Sequence, residues 1–231
     1  MGRQLDFTSR QTKWQCILAL VYLPFHLVII PFAAAAAFPS MDMSMLNFLC
    51  YAIGGVFMVV TQWNFLRDDF GSFMEHPVQN ALQIPISYAL MMCFNSLIAI
   101  ALIAMQTTSN PNNEAVVERA VQNGGPTRAA VIFLAPIVEE CIFRAGLFGL
   151  VRKYSRTAAY IVTALVFAVY HVWGYALSDP ANWIYLIQYI PVTLLLCRAY
   201  ERTNSIWGSI FFHMTVNYVS LNAMMMLQEL V

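Results

Sequence analysis

Glu139, Glu140 and Arg144 lie in the middle of an apolar stretch, Ala129 to Val151, long enough to cross a bilayer. A charged side chain at membrane depth costs at least about 2.5 kcal/mol on insertion scales, so ionisable residues there suggest function more strongly than anchoring. On a helix Glu140 and Arg144 are four residues apart and share a face, whereas Glu139 points about 100° away. One carboxylate can therefore be neutralised as an internal salt bridge while the other stays free for chemistry. Two histidines sit in later apolar stretches: His171, four residues after Phe167, and His213, four residues before Asn217. At about 1.5 Å of helix per residue, Glu139 lies roughly 20 Å from Arg152, His171 about 22 Å from Arg156 and His213 about 16 Å from Arg202. Measured from these bounding basic residues, Glu, His, and His with Asn reach a similar depth on three separate segments.

A carboxylate screened from bulk water is a stronger base and can activate a water molecule near neutral pH. Two imidazoles and an amide can orient that water, ligate a metal, or donate hydrogen bonds to a developing oxyanion. Together these groups suffice for amide hydrolysis without a serine or cysteine nucleophile. Cys141 is adjacent in sequence, but the helix turns it about 100° from Glu140 and about 200° from Glu139. The other cysteines, Cys16, Cys50, Cys93 and Cys197, fall in apolar runs without metal-type spacing and read as small hydrophobes.

The elements that must hold these residues are membrane helices. Of the 231 residues 60% are hydrophobic and only 10% charged, with a mean hydropathy of +0.62, where a soluble domain would be about 45–50% apolar. The fold class expected is an all-α, polytopic transmembrane helix bundle. Runs of suitable length predict about seven spans: Trp14 to Phe38, Leu46 to Trp63, Ala81 to Met105, Arg128 to Val151, Ala158 to Trp173, Trp183 to Cys197 and Ile206 to Leu227. Pro191 is expected to bend the sixth. The stretch Phe65 to Asn80, with Arg67, Asp68, Asp69 and Glu75, reads as a solvated or interfacial loop. The organisation expected is three N-terminal helices (1–106), a polar extracytoplasmic loop (107–127) holding a short helix from Glu114 to Gln122, and a core (128–231) that carries the chemistry.

Orientation follows from the basic residues, which are in excess in cytoplasmic loops. With the N-terminus cytoplasmic, that side holds Arg3, Arg10, Lys13, Arg67, Arg152, Lys153, Arg156, Arg198 and Arg202, while Arg119 and Arg128 stay opposite and Arg144 lies within the membrane. The net charge of zero gives no sign of a nucleic-acid footprint. His26, in the first span beside Pro24 and Phe25, reads as a packing residue.

Three motifs now stand in order on successive spans: EExxxR within APIVEECIFRAG (Ala135 to Gly146), FxxxH in FAVYH (Phe167 to His171) and HxxxN in HMTVN (His213 to Asn217). In this order they resemble the CPBP family of intramembrane proteases, the CAAX-processing and bacteriocin-processing or Abi group, over about Arg128 to Leu227. The resemblance implies cleavage of a peptide bond near a membrane, with Glu139 and His171 activating water and His213 and Asn217 stabilising the tetrahedral intermediate. Glu140 would join the catalytic group, with Arg144 and Phe167 as structural support. The family is commonly described as metalloproteases, which makes Glu139, His171 and His213 candidate ligands of a divalent metal such as zinc. Two His and a Glu form a known zinc set, yet there is no HExxH here and Asn is a poor zinc ligand, so a metal-free glutamate mechanism stands beside the metallo one.

The function expected is thus an intramembrane endopeptidase acting on a membrane-associated or lipid-modified protein or peptide, in the plasma membrane of a microbe. Two other classes suit the same residues. Midplane Glu and His chains also serve as relays in proton-coupled transporters, although no repeat of the hydropathy pattern between halves is visible. A non-catalytic immunity or scaffold protein would bind a partner through the same polar layer.

Overall fold

A computed structural model describes residues 7–107, 110–122 and 124–229. Among these residues the chain is helical, without strands. The helices are α1 (Lys13–Ala37), α2 (Met43–Glu75), α3 (Pro77–Ala104), α4 (Pro111–Gln122), α5 (residues 124–152), α6 (Arg156–Ser178), α7 (Leu186–Thr203) and α8 (Ile206–Glu229). A 3₁₀ turn, Pro180–Tyr185, leads into α7.

Their starts follow local capping chemistry. Thr12 and Gln15 form a reciprocal capping box at α1, Asp42 accepts the backbone N–H groups of Ser44 and Met45 at α2, and Ser155 accepts that of Ala158 at α6. Asn204, with φ of 48°, takes the left-handed conformation that reverses the chain between α7 and α8.

Among the described residues six helical stretches are long and apolar enough to cross a membrane: Lys13–Ala37, Met43–Glu75, Pro77–Ala104, Arg156–Ser178, Pro180–Thr203 and Ile206–Gln228. Helix α5 is the expected fourth span, and it differs from the rest in composition and position. It is the hub of the core, where Val138, Cys141, Ile142, Phe143, Ala145 and Phe148 pack against Tyr22 of α1, Met58 of α2, Phe167 of α6, Tyr200 of α7 and Ile210 of α8. Surrounded by protein rather than lipid, it can carry two glutamates and an arginine at its centre. The outer helices show the opposite pattern, with Phe32, Val60, Trp63, Leu97 and Ile103 exposed on apolar outer faces.

Helix α5 is not regular. Two π-helical stretches, Ala130–Leu134 and Cys141–Phe148, interrupt it, a feature common where a helix is shaped for function. The first has a covalent cause. The Ala135 N–H reaches back to the Ala130 carbonyl, five residues away, and the next residue is Pro136, which has no N–H. The Val131 carbonyl is thereby deprived of any amide partner within its own helix.

The stretch Phe65 to Asn80 is not a loop. Helix α2 runs through it to Glu75 and α3 starts at Pro77, with only His76 between them. The charges that suggested solvent are divided by the helix. Arg67 and Asp68 pair on the exposed side at 2.8 Å, whereas Asp69 is fully buried. The Asp69 carboxylate accepts from Arg10 Nη1 at 2.8 Å and from the backbone N–H of Ile206, so it caps the helix that carries His213. Arg10 also donates to the Asn204 carbonyl at the end of α7. Asp69→Ala should cost at least about 1–2 kcal/mol from the cap alone, read as a lowered thermal midpoint in detergent; an unchanged midpoint would refute this role. The expected polar connection also contains more helix than its composition suggested: α4 begins at Pro111, and residues 124–127 form the first turn of α5.

Candidate active site

Helices α5, α6 and α8 bring Glu139, His171 and His213 together. Glu139 is 3% exposed. Its Oε1 accepts from the Tyr51 hydroxyl at 3.0 Å and, at a longer 3.5 Å, from that of Tyr170. Its Oε2 has no hydrogen-bond partner within the protein and stands 3.9 Å from Nε2 of His171 and 3.9 Å from Nε2 of His213. One oxygen is thus fixed by phenols while the other faces both imidazoles.

The far side of each ring defines its tautomer. His171 Nδ1 lies 2.9 Å from the Phe167 carbonyl, which can only accept, so Nδ1 carries the proton and Nε2 of the neutral ring presents a lone pair towards Glu139. This contact is the structural content of the FxxxH spacing, one helical turn from backbone oxygen to ring. His171 is also stacked on Tyr189, ring centroids 4.5 Å apart, and the Tyr189 hydroxyl is held by the side-chain amides of Asn110 at 3.2 Å and Asn112 at 2.9 Å. The start of α4 and the residue before it are in this way tied to the orientation of the histidine.

His213 Nδ1 lies 2.7 Å from Glu140 Oε1. Glu140 and Arg144 are both completely buried, and the guanidinium approaches the same carboxylate at 3.2 Å as an ion pair rather than an aligned hydrogen bond. The Ser209 hydroxyl donates to Glu140 Oε2. Arg144 also covers the Phe167 ring at 4.3 Å, so Phe167 stands between the ion pair and His171. The expected pairing of Glu140 with Arg144 is present, but the carboxylate does more than neutralise the arginine: it anchors His213 from behind.

Asn217 is placed differently from the other three. Its Nδ2 donates to the Val131 carbonyl at 2.8 Å, the oxygen that Pro136 leaves without an amide. Among the described residues no hydrogen bond joins it to Glu139, His171 or His213. One N–H is therefore committed to holding α8 against the first π turn, which leaves the second for other partners.

The donor set can be tested against zinc. Ligands of one tetrahedral zinc at about 2.0–2.1 Å stand about 3.3 Å apart, and the 3.9 Å separations from Glu139 are wider. Among the described residues no group of three His, Cys, Asp or Glu side chains is arranged to hold a metal ion. The three residues as placed do not fit a resident zinc. They do fit an oxygen atom hydrogen-bonded at about 2.8 Å to each of two neighbours.

Residues 125–219 match the family described as type II CAAX prenyl endopeptidase, Rce1-like. The match covers the segment that carries the three motifs, less than half of the chain. This match takes in Glu139, His171, His213 and Asn217 and stops short of the first three helices. No curated protein and no solved structure matches the chain. The Rce1-like similarity and the six helices among the described residues that are long and apolar enough to cross a membrane support an integral membrane protein.

Several residues around the Rce1-like motifs escaped sequence reasoning. Ser209 had a readable signal, since Ser209, His213 and Asn217 recur every four residues on one face of α8. Tyr170 directly precedes His171 but points elsewhere on α6 and offered no pattern. Tyr51 had none either, because it comes from α2, outside the matched segment. With the phenol of Tyr51 removed, Glu139 Oε1 loses its shortest hydrogen bond. Tyr51→Phe should lower kcat about tenfold, in the range of one hydrogen bond to a charged group, with little change in KM. Steady-state kinetics in proteoliposomes would show this, and an unchanged kcat would remove Tyr51 from the site.

Proposed function

We propose that the chain is an intramembrane endopeptidase of CAAX type that hydrolyses a peptide bond in a lipid-modified or membrane-associated substrate, with Glu139 as general base. The observation that carries this reading is the uncommitted Oε2 of Glu139, equidistant from two imidazole Nε2 atoms. A water molecule between Glu139 Oε2 and His171 Nε2 would donate one O–H to each. Both acceptors together fix its orientation and direct a lone pair of its oxygen at a substrate carbonyl. Proton transfer to Glu139 accompanies attack of the water oxygen on that carbon.

His213 takes the opposite role. Its Nδ1–H is held by Glu140, a carboxylate that also faces Arg144 and Ser209. When the ring is doubly protonated, Nε2–H is a charged donor aimed at the same point, suited to the oxyanion of the tetrahedral intermediate. The second N–H of Asn217 is the further donor that the family resemblance assigns there. Collapse of the intermediate needs a proton for the leaving amine, and Glu139, having taken one from water, can return it. The 3.9 Å separations from Glu139 Oε2 to the two imidazoles, wider than between ligands of one zinc, support the metal-free form of this reading. The protease family and the polar layer within the bilayer support a substrate that reaches the site laterally or from the membrane surface.

The test is a comparison by mass spectrometry of membrane-associated peptides from cells carrying the wild-type chain and cells carrying Glu139→Ala. Peptides ending at a common scissile bond should be present only with the wild type. Identical peptide profiles would sink the proposal.

A further inference from the structure

Between α3, α6 and α7 lies a cavity of about 680 Å³ that none of the site residues lines. Its two ends differ in chemistry. At one stand Arg156, from the start of α6, and Arg198 and Arg202, from the last turns of α7; towards the other the wall is apolar, including Phe94, Ile161 and Leu194, and no carboxylate lines it. Arg156 is paired with Glu201 at 2.7 Å, a carboxylate it shares with Arg152. Arg198 donates only to neutral groups, Ser87 at 3.3 Å and Gln83 at 3.5 Å, and the exposed Arg202 has no acidic partner among the described residues.

Arg198 and Arg202 are four residues apart on one helix, a spacing at which like charges destabilise each other unless an anion lies between them. The cavity gives that anion a defined shape. From Arg202 to Ile190, another wall residue, α7 rises about 18 Å, against about 15 Å for half of a bilayer's hydrocarbon core. A basic mouth with an apolar trough one leaflet deep is the complement of a charged headgroup carrying an acyl chain. Basic pockets between membrane helices take anionic headgroups by the same logic. We propose that this cavity is a binding site for an anionic phospholipid, its phosphate on Arg198 and Arg202 and an acyl chain against Phe94, Ile161 and Leu194. A small free anion would leave the apolar wall unused, and a zwitterionic lipid would bring no net charge to the arginine pair. This site is independent of the peptidase reading.

Native mass spectrometry of the full chain in detergent micelles, titrated with phosphatidylglycerol and with phosphatidylcholine of identical acyl chains, tests it. Phosphatidylglycerol should bind about tenfold more tightly, and Arg198→Gln with Arg202→Gln should weaken its binding by roughly tenfold or more. Arg67→Gln, at an exposed arginine paired elsewhere, should leave it unchanged. Ile161→Trp, which fills the trough from a lipid-exposed position, should weaken both lipids while helicity by circular dichroism is retained. It keeps the test decisive if the double variant does not fold. Equal binding of the two lipids, undiminished binding in both the double variant and Ile161→Trp, or displacement of phosphatidylglycerol by inorganic phosphate alone would each overturn the proposal.

Discussion

Glu139→Gln should lower kcat by about 10²–10⁴, the usual contribution of a positioned general base, while leaving the thermal midpoint within a degree or two. The amide is nearly isosteric and can still accept from Tyr51 at Oε1, so the packing around α5 is preserved. It cannot take a proton from water. The effect belongs in kcat more than in KM, because Oε2 has no partner in the protein to lose and its work begins only when water is deprotonated. Steady-state kinetics with a membrane-anchored peptide would measure it. A variant that keeps more than a tenth of wild-type kcat would mean that another group activates the water.

The second large effect concerns stability. Arg144→Met should destabilise the protein by about 3–5 kcal/mol, because it leaves the Glu140 carboxylate buried without its cation at a position with no access to solvent. Removing both charges should be milder. In Glu140→Gln with Arg144→Met no uncompensated charge remains, so the double variant should melt above Arg144→Met alone, a coupling that a double-mutant cycle in detergent isolates. Glu140→Gln alone should act through both His213 and Arg144. It removes the negative charge behind Nδ1 and should reduce kcat about ten- to a hundredfold, and because it leaves the buried guanidinium without its anion its loss of stability should be comparable to that of Arg144→Met. If Arg144→Met melted with the wild type, the ion pair would have no structural role.

The three motif segments were legible because each encodes a helical turn. Phe167 to His171, Glu140 to Arg144 and His213 to Asn217 are all four-residue spacings, and the fold uses the first two as local contacts, backbone carbonyl to imidazole and carboxylate to guanidinium. The third is used across helices instead. Asn217 reaches the Val131 carbonyl, and only the pairing of a π turn with Pro136 explains why that oxygen needs a donor. Depth along the helices placed Glu139, His171 and His213 at one level, but which faces converge is a tertiary property that spacing does not contain.

Two of the contacts that sequence reasoning missed come from distant parts of the chain. Tyr51 reaches Glu139 across 88 positions, and Asp69 caps α8 across 137. Neither has a periodic signature. Asp69 was misread because three neighbouring charges in a row suggested solvent, whereas on a helix successive residues point in directions about 100° apart. That rotation sends Arg67 and Asp68 outward and Asp69 into the core. Helix α5 shows the converse case: its charges would disfavour a lipid-exposed span, and the surrounding helices make the location possible.

The most direct measurement is single-turnover cleavage of a prenylated, membrane-anchored peptide by reconstituted protein in heavy-oxygen water, read by mass spectrometry of the product and of the Glu139 peptide. Activation of water by Glu139 predicts one labelled oxygen in the new carboxyl terminus, none in the side chain of Glu139, and product from Glu139→Gln formed at least about a hundredfold more slowly under the same conditions. Label appearing first in the Glu139 carboxylate, or labelled product formed at wild-type rate by Glu139→Gln, would contradict it.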